Sequence, residues 1–459
     1  MNLSRYITIQ KLKEDRYIMI NALSGAIDVI DEKSMIIMEK IKTNKYIYRK
    51  EDDDFLEQLS KRGYLFESVE AEQAYIEKVY GLYSKVIDRK MAKIVICPTL
   101  SCNLRCVYCF ESEEIKSSKK VMSVEEIDDI FSHIETILIQ KKLQGYEIEL
   151  FGGEPLLPVT YDANERIFEL ARERGKVVSI ISNGTHIGYY EKLLRKYRDC
   201  IDNIQITIDG IKAIHDKRRI KIDKSGTFEV IVSGIDKLLE IGIKVGVRIN
   251  LDRENIDYLK ELVTYFEEKG WNESKYFHAD VAPVVDHTCD QLSTDIMKEN
   301  EIIKKIQHDF PCYSEKGYFK FNLFRVLNHI NDVLNNKEDK ISIPSFHYCE
   351  GNRMEFYVFS PDGYVYLCPE AVGSVEARIG EFGKELELYD TISHWENRNI
   401  LTIEKCKTCE IAPFCGGGCP FASLKVNKDI NIPVCDDSKE VLKDYIESIK
   451  DSILAEIGD

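Results

Sequence analysis

The chain has 459 residues, 44% of them hydrophobic, which allows about three domains and a large buried core. Its 79 acidic residues outnumber its 63 basic ones and give a formal charge of −16. This balance argues against non-specific nucleic-acid binding, which needs a basic face. No apolar signal region follows Met1, and no apolar run approaches the length of a membrane span. We therefore expect a cytoplasmic protein that binds neither nucleic acid nor membrane.

Residues 1–67 are predicted to form a small separate domain. A hairpin pattern is followed by a short strand, two helix patterns and a final strand. This arrangement resembles the winged-helix peptide-recognition domain that is fused to many peptide-modifying radical enzymes. The resemblance implies that the leader of a ribosomal precursor peptide binds as an added strand, although a plain packing domain remains open. The segments are Arg5–Lys11, Arg16–Asn21, Ala26–Ile30, the helices after Asp31 and Asp52, and Tyr64–Phe66.

A linker helix over residues 68–90 leads into residues 91–310, where strand and helix patterns alternate six times. Such alternation predicts a parallel sheet flanked by helices. Six units, rather than the eight of a full barrel, predict a partial (βα)6 TIM-like barrel in an α/β fold. The candidate strands are Lys93–Thr99, Tyr146–Phe151, Val177–Ile181, Asn203–Ile208, Lys244–Leu251 and Tyr276–Ala282.

Three thiols follow the first of these strands at close spacing, namely Cys102, Cys106 and Cys109. Three thiolates can hold three irons of a 4Fe–4S cube and leave the fourth iron open. A zinc knuckle is the alternative, but zinc takes four ligands and no fourth Cys or His lies close by. This C-x3-C-x2-C loop, with Tyr108 before its last Cys, resembles that of the radical S-adenosylmethionine (SAM) enzymes. The resemblance implies that the open iron binds SAM and that the three cysteines are catalytic.

Polar and glycine-rich loops follow the next strands, at the edge where barrel chemistry occurs. Two glycines allow close approach of a ligand to the backbone, and a carboxylate follows them. The resemblance implies that these loops bind the SAM amino group, ribose and carboxylate, the last through Arg219 or its neighbour Arg218. The predicted cofactor-binding residues are Tyr108, Gly152, Gly153, Glu154, Asn183, Thr185, Thr207 and Arg219.

A bridging region over 311–345 precedes a second cysteine set in residues 346–437, and a C-terminal helix follows over 438–459. The set resembles the seven-cysteine SPASM extension, which carries two auxiliary 4Fe–4S clusters; a zinc ribbon explains only its C-x2-C pair. The resemblance assigns Cys349, Cys368 and Cys419 to the first cluster. It assigns the second to Cys406, Cys409, Cys415 and Cys435.

Sulfatase-maturing relatives have a further Cys between the first two SPASM cysteines, and this chain has none between Cys349 and Cys368. An open iron in the first auxiliary cluster could bind a substrate thiolate. Glu370 or another group could instead close that site. These relatives also place an Asp directly after the second SPASM cysteine, where this chain has Pro369 and then Glu370.

We therefore predict a radical SAM enzyme with three 4Fe–4S clusters that forms thioether crosslinks in a ribosomal precursor peptide, of the sactipeptide or ranthipeptide type. It would take electrons from a donor such as flavodoxin or ferredoxin. Carbon–carbon crosslinking and epimerisation are alternatives, and sulfatase maturation is less favoured. A different class of function, a non-catalytic electron-transfer iron–sulfur protein, would need neither an open iron nor SAM loops.

Overall fold

All six predicted strands appear in the computed structural model, and five of them begin and end within two residues of the predicted bounds. The structure describes residues 1–87, 90–285, 296–310, 319–320, 326–327, 330, 344–353, 355–435 and 437–457. Most of the bridge predicted at 311–345 lies outside the described residues. Within the described part, no helix combines the length and the apolar character needed to cross a bilayer. Contacts divide the chain into two compact units, which are described separately below.

The first unit comprises residues 89–323 and 350–396. Its described residues contain an eleven-stranded mixed sheet, in which six central strands run parallel in chain order. From one edge to the other, the strands are β14 (Phe319–Lys320), β13 (Phe277–Pro283), β12 (Lys244–Leu251), β10 (Ile201–Thr207), β9 (Val178–Ser182), β8 (Gly145–Leu150), β6 (Met91–Ile96), β15 (Glu355–Phe359), β16 (Tyr364–Tyr366), β17 (Arg378–Phe382) and β18 (Leu386–Leu388).

Helices follow the parallel strands of this unit and cover the sheet. Ser123 and Glu126 form a capping box at the start of one of them, and Gly242 ends another in the left-handed conformation. The small antiparallel pair β7 (Leu104–Cys106) and β11 (Arg219–Lys221) stands apart from the large sheet. The helices are α4 (Glu113–Lys116), α5 (Val124–Lys141), α6 (Tyr161–Glu173), α7 (Ile187–Lys196), α8 (Lys212–Arg218), α9 (Phe228–Ile241), α10 (Leu259–Glu268), α11 (Glu299–Asp309), α12 (Glu350–Arg353) and α13 (Ile392–Glu396).

The second unit comprises residues 1–88, 324–349 and 397–459. It therefore contains both the predicted recognition domain and the C-terminal helix, and the predicted 346–437 domain is divided between the two units. Its elements are β1 (Asn2–Leu3), β2 (Ile7–Lys13), β3 (Arg16–Asn21), β4 (Ile27–Asp31), α1 (Glu32–Lys42), α2 (Asp53–Lys61), β5 (Leu65–Phe66), α3 (Val69–Val86), α14 (Ala412–Cys415), α15 (Pro420–Asn427) and α16 (Ser438–Ile457).

The N-terminal part of this unit has the predicted hairpin and helices. Strands β2, β3 and β4 form an antiparallel sheet in that order, and β1 pairs with β5. Asp31 caps α1, since its carboxylate accepts from the backbone N of Ser34 at 2.8 Å. An apolar core joins this sheet to the helices, and it includes Met19, Ile30, Ile37, Met38, Ile41, Leu59, Tyr64 and Leu65.

Candidate active site

The three closely spaced thiols line a cavity of about 420 Å³ at the carboxyl ends of the parallel strands. Cys102, Cys106 and Cys109 lie between the end of β6 and the segment after β7. The register of the β7–β11 pair places Cys106 opposite Arg219. The predicted cysteines and the predicted SAM-binding arginine thus share one wall of the cavity.

The loop after β8 packs directly onto the segment that carries the cysteines. Gly152 has a φ of +124°, and a Cβ there would lie 2.4 Å from the carbonyl oxygen of Thr99. A Cβ on Gly153 would lie 2.2 Å from the carbonyl oxygen of Leu100. The backbone N of Glu154 donates to the carbonyl of Ser101 at 2.9 Å. Only glycine therefore allows this approach of backbone to backbone.

Replacing Gly153 by alanine is expected to push this loop away from the cysteine segment, because the neighbouring atom is a backbone carbonyl that cannot rotate aside. Overpacking of this kind costs about 1–3 kcal/mol. We expect SAM affinity, measured by equilibrium dialysis, to fall about tenfold or more. Gly383→Ala is the matched control, because a Cβ on Gly383 meets nothing within 4 Å. Equal behaviour of the two variants would contradict the role assigned to this contact.

The carboxylate of Glu154 is fully buried and is engaged within the protein. It accepts from Ser182 Oγ at 2.7 Å, from the backbone N of Asn183 at 2.6 Å and from the backbone N of Leu156 at 2.9 Å. Burial raises its pKa, and the hydrogen bonds act in the opposite direction. The structure therefore shows Glu154 joining the loops after β8 and β9, a role that the sequence did not indicate.

Asn183 and Thr185 are buried beside the cysteine loop and bond to each other. Thr185 Oγ1 donates to Asn183 Oδ1 at 2.6 Å, and Asn183 Nδ2 donates to Asn103 Oδ1 at 2.8 Å. Asn103 Nδ2 in turn donates to Thr185 Oγ1 at 3.0 Å. Of these two predicted cofactor-binding residues, Asn183 lines the cavity. These hydrogen bonds hold Asn103, which directly follows Cys102, against the loop after β9.

Tyr108 lines the cavity, and polar side chains hold its hydroxyl group in place. Its hydroxyl donates to Asp209 in a short hydrogen bond and accepts from Arg219 Nη1 at 2.9 Å and from Asn250 Nδ2 at 3.3 Å. Burial raises the pKa of Asp209, while Arg219 and Arg218 act to lower it. The buried Nε of Arg219 has no hydrogen-bond partner among the described residues. A carboxylate in the cavity would supply such a partner.

The structure shows which of the two neighbouring arginines lies at the cavity, a choice that the sequence left open. Arg219, the first residue of β11, lines the cavity together with Thr207. Arg218, the last residue of α8, is not part of the cavity lining and makes a two-pronged pair with Asp252 at 2.9 and 2.8 Å. Both partners of that pair are buried. Arg219 is therefore the one whose position suits a carboxylate in the cavity.

Different outcomes are expected when each arginine is replaced by methionine. Arg219→Met should weaken SAM binding by about 10- to 100-fold, the loss of one charge-assisted contact of about 1.5–3 kcal/mol. Arg218→Met should leave Asp252 buried without its cation and lower the free energy of unfolding by about 3–5 kcal/mol. SAM affinity and thermal unfolding of both variants measure this. The assignment would be reversed if the Arg218 variant were stable and bound SAM more weakly while the Arg219 variant bound SAM as tightly as the wild-type protein.

Several polar side chains that the sequence did not place at this cavity also line it, among them Glu111, Arg248, Asn250 and Glu370, the last of which was predicted only as a possible ligand of the first auxiliary cluster. Arg248 and Asn250 alternate at the carboxyl end of the otherwise apolar strand β12, and this interruption is a signal that could have been used. Glu370 is half-buried, and burial raises its pKa. Burial also raises the pKa of Glu111 to about 7. No sequence pattern indicates that these two carboxylates reach the cavity.

The donor set of the cavity fits an iron–sulfur cluster. Burial raises the pKa of Cys102 to about 12 and that of Cys109 to about 11, so bound iron has to displace their protons. Among the described residues, no three His, Cys, Asp or Glu side chains converge as ligands of a single ion. A cube does not need that convergence, because each thiolate binds a different iron.

The remaining cysteines fall into both units. Cys368 belongs to the unit with the large sheet, and the other six C-terminal candidates, Cys349, Cys406, Cys409, Cys415, Cys419 and Cys435, belong to the second unit. Cys406 is buried and Cys435 is exposed. Cys97 and Cys200, which match no motif, are buried, as expected for packed thiols. Cys289 and Cys312 lie outside the described residues.

Comparison with known proteins supports the class that the cysteine loop predicted, because part of the chain matches a radical SAM domain. Residues 96–266 match the Radical SAM superfamily. The predicted α/β fold is thereby confirmed, since it matches solved structures over most of the chain. Native anSMEcpe with bound AdoMet has a TM-score of 0.56 and 19% identity, covering 80% of this chain and 100% of that one. Streptococcus suis SuiB bound to precursor peptide SuiA has a TM-score of 0.54 and 14% identity, covering 95% and 99%.

A curated relative extends the similarity in sequence. The cysteine-type anaerobic sulfatase-maturating enzyme of Clostridium novyi is 24% identical over 369 residues, which are 75% of this chain and 90% of that protein. The similarity thus reaches well beyond the radical SAM domain itself.

Proposed function

We propose that this protein is a radical SAM peptide maturase that forms thioether crosslinks in a ribosomally synthesised precursor peptide. The observation that carries the proposal is the cavity in which three closely spaced thiols meet Arg219 and the loop of Gly152 and Gly153. Support for a peptide substrate comes from two similar proteins, one solved with its precursor peptide and one named for the maturation of sulfatases.

In this proposal Cys102, Cys106 and Cys109 hold a 4Fe–4S cluster, and Arg219 binds the SAM carboxylate. A cluster held there, with SAM bound and an electron from a donor such as flavodoxin or ferredoxin, would supply the radical chemistry by which one hydrogen atom is removed from the substrate. Glu154 keeps the loops after β8 and β9 together through its three hydrogen bonds. Tyr108 orients Arg219 by accepting its hydrogen bond, and Asp209 in turn holds the Tyr108 hydroxyl.

The choice of a thioether rests on the second cysteine set, which we propose holds two auxiliary 4Fe–4S clusters. The sequence contains no Cys between Cys349 and Cys368, so a first auxiliary cluster held by Cys349, Cys368 and Cys419 would lack a fourth cysteine ligand and could take a substrate sulfur instead. Coupling removes a hydrogen atom from carbon and a proton from the thiol, and it returns one electron to an iron–sulfur acceptor. The peptide therefore loses two hydrogen atoms for each crosslink.

The leader of the precursor is proposed to bind along β4. The β2 side of the small sheet is covered, because Gln10 Nε2 donates to the carbonyl of Lys443 in α16 at 3.0 Å. On the β4 side, the backbone N of Asn21 donates to Ala26 O at 2.9 Å. Successive N–H groups of an antiparallel strand point alternately toward and away from the neighbouring strand. Because Ala26 is hydrogen-bonded to Asn21 of β3, the N–H of Val29, three residues later, points away from β3. An extended leader could pair with this edge.

Val29→Pro is expected to weaken precursor binding by about two- to tenfold, the value of one backbone hydrogen bond of about 0.5–1.5 kcal/mol. Proline is tolerated where an edge N–H faces solvent, so the fold should persist. Val29→Thr is the matched control, because it changes the side chain and keeps the N–H. Precursor affinity can be measured by fluorescence anisotropy. Unchanged affinity in a folded proline variant would contradict binding at this edge.

A direct test of the proposed function uses short Cys-rich reading frames encoded next to the enzyme. Their peptides should stimulate formation of 5′-deoxyadenosine by the reduced, iron-loaded enzyme, because hydrogen abstraction is coupled to substrate binding. Failure of every such peptide to do so, with SAM cleavage intact, would count against a peptide substrate encoded there.

Maturation of the sulfatase type is the second candidate, and one structural observation favours it. Glu370 lines the active cavity, two residues after Cys368, close to the place where sulfatase-maturing relatives carry an acidic residue. The fate of sulfur separates the candidates. Thioether formation keeps the sulfur in the peptide, whereas conversion of Cys to formylglycine replaces it by oxygen, and mass spectrometry distinguishes the two products.

A further inference from the structure

Arg398 is a fully buried cation in the second unit, and its guanidinium group is bound mainly by backbone carbonyl oxygens. Nη2 donates to Gly417 O at 2.7 Å, Nη1 donates to Gly418 O at 2.9 Å, and Nε donates to Ile430 O at 2.6 Å. Nη2 also lies 3.4 Å from the hydroxyl of Ser423. Burying an arginine is costly unless its charge is balanced nearby.

The carbonyls that Arg398 binds belong to the segments that carry predicted cluster ligands. Gly417 and Gly418 lie between Cys415 and Cys419, and Ile430 lies five residues before Cys435. Both glycines have positive φ angles, +93° and +73°. A Cβ on Gly418 would lie 2.8 Å from the carbonyl oxygen of Val434. The planar guanidinium therefore ties the loop before α15 (Pro420–Asn427) to the segment after it.

The thiols around Arg398 supply the nearby negative charge when they bind iron. Burial lowers the pKa of Arg398, and the neighbouring thiols of Cys349, Cys406, Cys419 and Cys415 act in the opposite direction by favouring its charged form. The guanidinium group remains charged in proteins under ordinary conditions. Net charge, hydrogen bonding and burial are the properties by which a protein sets the reduction potential of an iron–sulfur cluster.

We propose that Arg398 is a positioning residue that fixes the Cys415–Cys419 loop and, as a buried cation, raises the reduction potential of the cluster held by Cys406, Cys409, Cys415 and Cys435. The inference rests on the proposed function only for the presence of C-terminal clusters. A higher potential would make this centre a better acceptor for the electron that crosslinking returns.

The test uses the full chain with Cys102, Cys106 and Cys109 replaced by Ala, so that only the C-terminal clusters are observed. Arg398→Met and Arg398→Gln remove the charge, and Arg398→Lys keeps the charge but loses the planar fork. Lys407→Met is the matched control, because Lys407 lies next to Cys406 but its side chain is 42% exposed and pairs with the carboxylate of Glu404 at 2.6 Å. Iron content and the midpoint potential, from a redox titration followed by electron paramagnetic resonance, are measured.

The neutral variants should favour the oxidised cluster by about tenfold or more, which is a shift of about 59 mV or more to lower potential for one electron. Arg398→Lys should keep the potential near that of the parent and lower the thermal stability. Lys407→Met should change the potential little, because water screens an exposed charge. A neutral variant with full iron and an unchanged potential would overturn the proposal.

Two other outcomes are also decisive. If the neutral variants lose iron, retention of iron by Arg398→Lys alone supports the need for a cation, and loss of iron in all three variants overturns the electrostatic role. If the parent of this series holds no iron, the C-terminal clusters themselves are absent and the inference falls with them. A neutral Arg398 variant with full iron and an unchanged potential would overturn this inference alone, because the proposed function does not depend on Arg398.

Discussion

Replacement of Cys102, Cys106 and Cys109 together by alanine is expected to reduce formation of 5′-deoxyadenosine to background. The three thiols line the cavity with Arg219, and without them no iron can be held there to bind SAM. The reaction of the reduced protein with SAM, followed by liquid chromatography, measures this. Because the C-terminal cysteines are untouched, the variant should retain the iron of the auxiliary clusters and lose about one cluster's share.

The matched control for this variant is Cys200→Ala. Cys200 is a buried thiol whose Sγ contacts the carbonyl of Tyr197 at 3.2 Å, and it belongs to no predicted ligand set. Its removal should leave SAM cleavage and iron content close to those of the wild-type protein. SAM cleavage at the wild-type rate by the triple variant would overturn the assignment of the catalytic cluster.

A precursor peptide in which every Cys is changed to Ser is expected to give no crosslinked product while still supporting SAM cleavage. Hydrogen abstraction takes place at carbon and does not need sulfur, but a hydroxyl is a poor ligand for iron and cannot replace a thiolate in the coupling. Deoxyadenosine and peptide products are measured in the same reaction. Deoxyadenosine formation and product formation should thus become uncoupled.

The outcome also tests direct binding of the substrate sulfur. The Cys precursor should perturb the optical or paramagnetic spectrum of the auxiliary clusters, and the Ser precursor should not. Crosslinks formed in the Ser precursor would show carbon–carbon or carbon–oxygen chemistry and would contradict the thioether proposal.

Strands of the parallel sheet could be predicted closely from the sequence because each is a short apolar run bounded by polar turns. Strand β12 was predicted with its observed bounds, Lys244–Leu251, and the other five differ by one to three residues at an end. Strands β15 to β18 were not predicted, because each has only three to five residues, too few to show a clear strand pattern. Their addition to the same sheet is a tertiary property.

Side-chain direction is what the sequence could not provide at the site. Arg218 and Arg219 are adjacent, yet a helix ends at the first and a strand begins at the second. This change of backbone direction sends one guanidinium into a buried ion pair and the other to the cavity wall. Glu154 shows the same limit, since its motif indicates a ligand-binding loop but not that its carboxylate is already bound by Ser182 and two backbone N–H groups.

The division of the chain into two compact units also could not be predicted from local sequence patterns. The sequence predicted a small separate domain at 1–67 and a C-terminal helix at 438–459, and both segments belong to one compact unit. Helix α16 packs on β2, although the two lie at opposite ends of the chain, through contacts such as that of Gln10 with Lys443. Because residues so distant in sequence share a core, point variants at the β4 edge test leader binding more cleanly than deletion of residues 1–67.

Mass spectrometry of a Cys-containing precursor after reaction with the reduced enzyme and SAM tests the central claim most directly. The account predicts a product that has lost two hydrogen atoms for each crosslink, retains its sulfur, and has one fewer alkylatable thiol for each crosslink, with fragmentation that links a Cys sulfur to a carbon of another residue. A product with the same loss of hydrogen but all of its thiols still alkylatable, or one that has lost sulfur, would contradict thioether formation.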